Sequence, residues 1–121
     1  MALLVAAAPA AAKDGEDDGR REARVAGTCS TGATSALRLR SRDGAIRVEF
    51  ELRRRVARER WRVVLVHERR VAWRGTFRTS RSGGGFRVRR SLQEFDGPDH
   101  VTARASGPGG LVCEASATLS G

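Results

Sequence analysis

The chain has 121 residues, enough for one domain, and carries a formal net charge of +9, with 31% of its residues charged. Of its 23 basic residues, 22 are arginine and one is lysine, and tyrosine is absent, a bias that a GC-rich bacterial coding sequence produces whatever the protein does. The charge therefore does not by itself identify nucleic acid as the partner of this chain.

Residues 1–12 are predicted to be the end of a secretory signal peptide. The apolar run Leu3–Ala8 is followed by Ala10–Ala12, the small residues that a signal peptidase cleaves after. The basic region that normally precedes such a run is missing, so we expect the signal to be truncated at its start. The run is shorter than the about 20 apolar residues that cross a bilayer, so no transmembrane span is predicted. A disordered alanine-rich tail is the alternative.

Residues 13–26 are predicted to be a disordered, charged linker. They mix both charges and contain almost no large apolar side chain, so they cannot offset the entropy lost on ordering. The folded domain is then expected to cover residues 27–121.

The two cysteines, Cys29 and Cys113, are expected to form one disulfide. An exported chain meets oxidising conditions, in which a lone pair of cysteines usually bridges. Two buried free thiols are the alternative. A metal site would need a CxxC motif or a histidine cluster, so neither a metal nor another cofactor is predicted.

Alternation of apolar and polar residues begins near residue 36 and predicts β-strands. The dipeptide Asp43-Gly44 is typical of a two-residue hairpin turn. With that turn, Leu39 faces Val48 and Leu37 faces Phe50, so that one face of the hairpin is apolar while arginine and glutamate pair on the other.

A second hairpin is predicted from residues 61–67 and 71–77, joined at Glu68-Arg69, with Val64 opposite Trp73. A longer turn with a shifted register is the alternative. The first of these strands is apolar on both faces, which is typical of a central strand, so both tryptophans are expected in the core.

Three further strands complete the pattern, at residues 86–92, 101–106 and 111–119. A three-residue loop, Gly107-Pro108-Gly109, would set Ala103 opposite Cys113 and point that cysteine inward. Glu51–Trp61 is rich in helix formers, so a short helix is the alternative there. About seven short strands without a βαβ unit predict an all-β antiparallel sandwich, with a small barrel as the alternative.

The chain resembles immunoglobulin-like and fibronectin type III-like domains in its seven predicted strands, in the length from Gly27 to Gly121 and in the tryptophan on the third strand, Trp61. The cysteines depart from the antibody pattern, which bridges the second and sixth strands, and there is no tyrosine corner. The resemblance implies an adhesion, binding or spacer module.

Arginine is concentrated after the second strand and at the turn of the second hairpin. Guanidinium forks suit sulfate, phosphate and carboxylate groups, so this set is a candidate polyanion-binding site. The alternative is a solvated arginine face, partly stacked on tryptophan. An acidic glycan, a cell-wall polymer, an anionic lipid or an envelope protein is the expected partner, and nucleic acid ranks lower because of the export signal. The candidate residues are Arg53, Arg54, Arg55, Arg58, Arg60, Arg69 and Arg70.

No catalytic motif is recognisable. His100 lies near Ser91, Asp96 and Asp99 in sequence, but no nucleophile elbow accompanies them, and a cation loop would need more oxygen ligands. We therefore expect a non-catalytic, exported module that binds a ligand or has a structural role at the cell envelope. A polyanion-binding module is the first alternative, and a small hydrolase that uses His100 is the second.

Overall fold

The computed structural model describes residues 21–120, which form two antiparallel sheets packed face to face, with no α-helix in that part of the chain. The predicted all-β sandwich is confirmed, with nine strands instead of about seven. The strands are β1 Glu22–Ala26, β2 Thr28–Cys29, β3 Ala33–Arg42, β4 Ala45–Arg54, β5 Arg60–His67, β6 Arg70–Arg78, β7 Phe86–Gln93, β8 Asp99–Ser106 and β9 Val112–Leu119.

One sheet has the order β1-β3-β4-β7 and the other the order β2-β9-β8-β5-β6. Alternate side chains of both sheets meet in a single core, in which the largest fully buried side chains are Trp61, Phe50, Leu37, Leu39 and Ile46. Burying such side chains is the main stabilising contribution to the fold, since each removes apolar surface from water.

The β3–β4 hairpin has the predicted register. Leu39 pairs with Val48 and Leu37 with Phe50, and the turn residues Asp43 and Gly44 have φ values of 50° and 77°. These are the left-handed conformations that a two-residue turn between twisted strands requires.

The β5–β6 hairpin has the predicted turn and, next to it, the predicted pairing of Val66 with Val71, but its register differs beyond that point. A bulge after Leu65 places that residue opposite Trp73, and Val64 opposite Arg74, so the predicted pairing of Val64 with Trp73 is wrong. The bulge directs the indole of Trp73 toward the core instead of into solvent. β5 is a central strand, between β6 and β8, as predicted.

Of the two tryptophans, only Trp61 is fully buried, with 0% of its surface exposed. Trp73 lies half-buried on the edge strand β6, where the guanidinium carbon of Arg90 lies 4.7 Å from its ring centroid. Arg90 comes from β7 of the other sheet, so this cation–π contact covers the open edge between the sheets.

The β8–β9 connection also differs from prediction. Gly107 N donates to Leu111 O at 2.8 Å and closes a five-residue loop, which shifts the register by two and puts Ala105 opposite Cys113. The predicted pairing of Ala103 with Cys113 is therefore wrong. A shift by an even number keeps every side chain on its own face, so Cys113 is buried as expected.

The predicted disordered linker is wrong for residues 22–26, which form β1. Ala23 and Val25 are half-buried against the core, and the strand pairs with β3, where Val25 lies opposite Leu37. Two small apolar residues are enough to order β1, because the edge of β3 supplies its backbone hydrogen bonds. The predicted signal peptide at 1–12 and the linker at 13–20 lie outside the described residues.

The predicted disulfide between Cys29 and Cys113 is confirmed. The two residues face each other on β2 and β9 of the same sheet, with their Cα atoms 4.0 Å apart. The helix considered for 51–61 is absent, since β4 continues to Arg54 and β5 begins at Arg60. Within residues 21–120, no helix has the length and apolar character needed to cross a membrane.

Candidate functional site

One end of the sandwich is formed by four loops, at 30–32, 55–59, 79–85 and 107–111. Glu59 is the only acidic residue in these loops. The arginine-rich stretch after β4, which the sequence identifies as the candidate site, lies at this end.

The 55–59 loop is closed by an ion pair. Arg54 donates to both carboxylate oxygens of Glu59, from Nε to Oε1 at 2.8 Å and from Nη2 to Oε2 at 3.0 Å. Trp61 Nε1 also donates to Glu59 Oε1 at 3.2 Å, and Arg54 Nη1 donates to Gly32 O at 3.1 Å. Arg54 therefore joins two loops and the core, and its guanidinium group is already hydrogen-bonded to Glu59 and Gly32.

Thr79 fixes the same loop from the β6 side. Its side chain is buried, and Oγ1 donates to Val56 O at 2.6 Å and accepts from Glu59 N at 2.8 Å. Arg58 N donates to Thr79 O, and Arg58 has a φ of 57°, an uncommon conformation for a residue other than glycine. The loop thus holds the exposed Arg58 in a defined position.

The ion pair between Arg54 and Glu59 should make the free energy of unfolding depend on pH. The hydrogen bond from Arg54 lowers the pKa of Glu59 below its ordinary value near 4.5, against the opposing effect of desolvation. A lowered pKa stabilises the fold above that ordinary value, and the stabilisation is lost as the pH falls through the pKa of the folded state. In Glu59→Gln, the free energy of unfolding is expected to depend less on pH in this acidic range, as measured by urea denaturation. Glu114→Gln, which removes an exposed carboxylate, should keep the wild-type profile, and an unchanged profile in Glu59→Gln would contradict the assignment.

Exposed arginines surround this fixed loop. Arg60 lies directly opposite Arg78 on β5 and β6, and Arg78 Nη1 donates to Arg58 O at 3.1 Å. We define the basic end as the set of five arginines Arg55, Arg58, Arg60, Arg62 and Arg78. All five are exposed, and none has a carboxylate within ion-pair distance among residues 21–120.

Like charges directly opposite on neighbouring strands destabilise a sheet. The Arg60–Arg78 pair therefore has a cost that the described part of the protein does not offset with a nearby acid. A hollow of about 400 Å³ lies beside it, lined by Arg60, Arg62, Ser106, Gly107 and Pro108. The arrangement can hold an anionic group that contacts several guanidinium groups at once.

The predicted site residues separate into three groups. Arg55, Arg58 and Arg60 belong to the basic end, whereas Arg54 is a structural residue and Arg53 lies 3.2 Å from Glu51. Arg69 and Arg70 lie at the other end of the eight-residue strand β5, roughly 23 Å away at about 3.3 Å per residue, so they do not join the cluster.

Sequence reasoning missed Arg62 and Arg78. The alternation along β5 places Arg62 on the same face as Arg60, whereas Arg78 comes to lie opposite Arg60 only through the bulge after Leu65.

The outer face of the β1-β3-β4-β7 sheet is also basic, and part of its charge is neutralised by Glu22, Glu49 and Glu51. Ion pairs join Arg38 to Glu22 at 2.8 Å and Arg87 to Glu49 at 3.2 Å. A hollow of about 370 Å³ on this face is lined by Arg38, Arg40, Arg47, Val48, Glu49, Arg89, Arg90 and Ser91. This surface offers a control for the basic end.

The structure does not gather the residues considered for catalysis or for a cation. His100 points outward from β8 and its Nδ1 lies 2.7 Å from Thr118 Oγ1, whereas the neighbouring Asp99 points inward and is buried. Ser91 lies on β7, in the opposite sheet.

Comparison with known proteins gives no match: no protein-family model, no curated protein and no solved structure resembles this chain detectably. The function is therefore argued from the geometry of the site.

Proposed function

We propose that this chain is a non-catalytic module that binds an acidic polymer at its basic end, outside the cell or in the cell envelope. The observation that carries the proposal is the cross-strand pair Arg60–Arg78, with Arg58 and Arg62 beside it and no carboxylate within ion-pair distance in the described residues. Sulfate, phosphate or carboxylate groups would supply the missing negative charge.

A polymer fits this surface better than a small anion. The arginines extend along strands β5 and β6 and around the 55–59 loop, and the hollow beside Arg60 and Arg62 is open to solvent, so single anionic groups would remain hydrated and weakly held. A chain with regularly repeated charges can contact several guanidinium groups together, which raises the effective concentration of each next contact.

The disulfide supports an oxidising compartment, because such bonds persist outside the cytosol and are rare within it. The signal-like residues 1–12 point the same way. An acidic glycan or a cell-wall polymer is therefore the preferred ligand, ahead of nucleic acid.

The architecture agrees with a binding module of the immunoglobulin-like kind. The sheet order β9-β8-β5-β6, with a buried Trp61 on β5, follows the arrangement in which the corresponding tryptophan packs in the core of those domains. The other sheet differs, because β4 follows β3 directly as a hairpin and lies between β3 and β7.

The proposal predicts that the variant Arg58→Asn, Arg60→Thr, Arg62→Thr, Arg78→Thr loses binding to heparin and to poly(glycerol phosphate). At about 0.5 kcal/mol or more per exposed arginine, the four substitutions should weaken binding by about thirtyfold or more. Wild-type affinity should also fall steeply with salt, as expected when a polyanion releases counterions. Isothermal calorimetry over a salt series measures both effects.

The matched control removes the same charge from the other sheet, by Arg24→Thr, Arg40→Thr, Arg47→Thr and Arg89→Thr. It should retain most of the affinity, because these residues lie on the outer face of the β1-β3-β4-β7 sheet. Equal losses in the two variants would show that net charge alone drives binding and would overturn the assignment to the basic end. Equal or tighter binding of wild type to duplex DNA, or to anionic vesicles, would overturn the choice of an acidic glycan or cell-wall polymer.

A further inference from the structure

The end of the sandwich opposite the basic end contains a buried cluster of metal-binding side chains. His67 ends β5, Glu68 begins the turn that follows, and Asp99 begins the neighbouring strand β8. Each offers one nitrogen or oxygen atom, and these atoms all lie within 4.8 Å of one another. Asp99 is some 30 residues from the consecutive pair His67 and Glu68 in sequence, and it lies beside them because β5 pairs with β8.

Asp99 has an unsatisfied oxygen in this cluster. The residue is 0% exposed, and its Oδ1 accepts from His67 Nε2 at 2.7 Å and from Phe95 N at 3.2 Å. Its Oδ2 is buried and has no hydrogen-bond partner in the described part of the chain. A buried carboxylate oxygen without a partner is costly, and one explanation for such a group is a missing ion.

We propose that His67, Glu68 and Asp99 bind a divalent transition-metal ion of the zinc type. One imidazole nitrogen and two carboxylate oxygens, with a fourth position open to water, form a donor set that zinc uses, whereas calcium and magnesium prefer oxygen alone. The two carboxylates balance the charge of the ion, and neither forms an ion pair with an arginine within residues 21–120.

The surroundings position the donors. The ring of Phe95 stacks on His67, with centroids 4.5 Å apart and planes 4° apart, and His100 N donates to Glu68 Oε2 at 2.6 Å. Such outer contacts orient metal ligands in proteins. Donors around tetrahedral zinc lie about 3.3 Å apart, so the close contact between His67 and Asp99 opens slightly and the half-buried Glu68 moves inward. An imidazole that coordinates the ion through Nε2 holds its proton on Nδ1.

The test uses the untagged full chain, freed of metal by a chelator, and zinc ion alone as the probe. Calorimetry is expected to give one zinc per chain, and zinc should raise the melting temperature. Glu68→Gln should weaken zinc binding by about tenfold or more, and His67→Gln and Asp99→Asn should abolish it. X-ray absorption should show nitrogen and oxygen donors without sulfur. The control His100→Gln, which alters the exposed histidine next to the cluster, should bind zinc like wild type.

Absence of stoichiometric binding would overturn the proposal, and so would equal affinity in wild type and Glu68→Gln. Loss of binding in His100→Gln alone would place the ion elsewhere and would also overturn it. If the two buried substitutions unfold the chain, Glu68→Gln decides the outcome, because its side chain is only half-buried at the turn. The basic end lies at the other end of the molecule, so polymer binding and zinc binding can fail separately.

Discussion

Replacing both Cys29 and Cys113 with alanine is expected to lower the free energy of unfolding by about 4 kcal/mol. The disulfide joins residues 84 positions apart and so closes almost the whole described chain into one loop. Without it, the unfolded chain gains the conformational freedom that the cross-link removes. For a domain of this size, the melting temperature should fall by roughly 20 °C, as measured by circular dichroism.

Reduced wild type separates the effect of the cross-link from that of packing. It keeps both sulfur atoms, so it should lie close to the double alanine variant in stability if chain entropy dominates. Ser30→Ala is a local control: Ser30 Oγ accepts from Val112 N at 3.0 Å and helps to hold β2 on β9 without any covalent bond. Its loss should cost only about 1 kcal/mol. Equal melting temperatures of the reduced and oxidised proteins would contradict the expected role of the disulfide.

The parts of the fold that the sequence predicted are those governed by local rules. Asp43-Gly44 determines both the turn and the register of β3 and β4, because turn chemistry and apolar alternation agree there. The register of β5 and β6 could not be read in the same way. Its bulge is set by the need to turn Trp73 toward a second sheet, and alternation within one strand contains no information on that contact.

Strand β1 was missed for a related reason. Its sequence alone has too little apolar surface to fold, and it is ordered by pairing with the edge of β3. The sequence of the segment gives its composition but not the neighbouring edge that stabilises it.

For the candidate site, the sequence shows where arginines are concentrated along the chain but not which of them lie together or which are already paired. Arg54 and Arg55 are neighbours with the same side chain, yet one is occupied by Glu59 and the other is exposed. That difference arises because Arg54 is the last residue of β4, whereas Arg55 begins the loop that returns Glu59 to Arg54. The cluster of His67, Glu68 and Asp99 was likewise hidden, because strand pairing across some 30 residues brings it together.

Trp61→Ala is expected to destabilise the protein by about 4 kcal/mol, the usual range for removing a fully buried aromatic side chain. The indole is 0% exposed and packs so closely on the backbone that a Cβ added at Gly107 would lie 2.5 Å from its ring. The substitution also removes the donor to Glu59 Oε1, so the loop that presents Arg58 should loosen. Urea unfolding followed by circular dichroism measures the stability, and heparin binding of the folded fraction measures the effect on the loop.

Trp73→Ala is the matched control, since it removes the same side chain from the edge strand of the same sheet, where the indole is only half-buried. Its cost should be about half that of Trp61→Ala, because less apolar surface leaves water there. Trp61→Phe keeps most of the ring volume but loses the hydrogen bond to Glu59. Relative to Trp61→Ala, it should therefore recover more of the free energy of unfolding than of the affinity for heparin. A larger loss of unfolding free energy in Trp73→Ala than in Trp61→Ala would show that Trp61 is not the centre of the core. It would also contradict the expectation that Trp61 holds the 55–59 loop and, through it, the basic end.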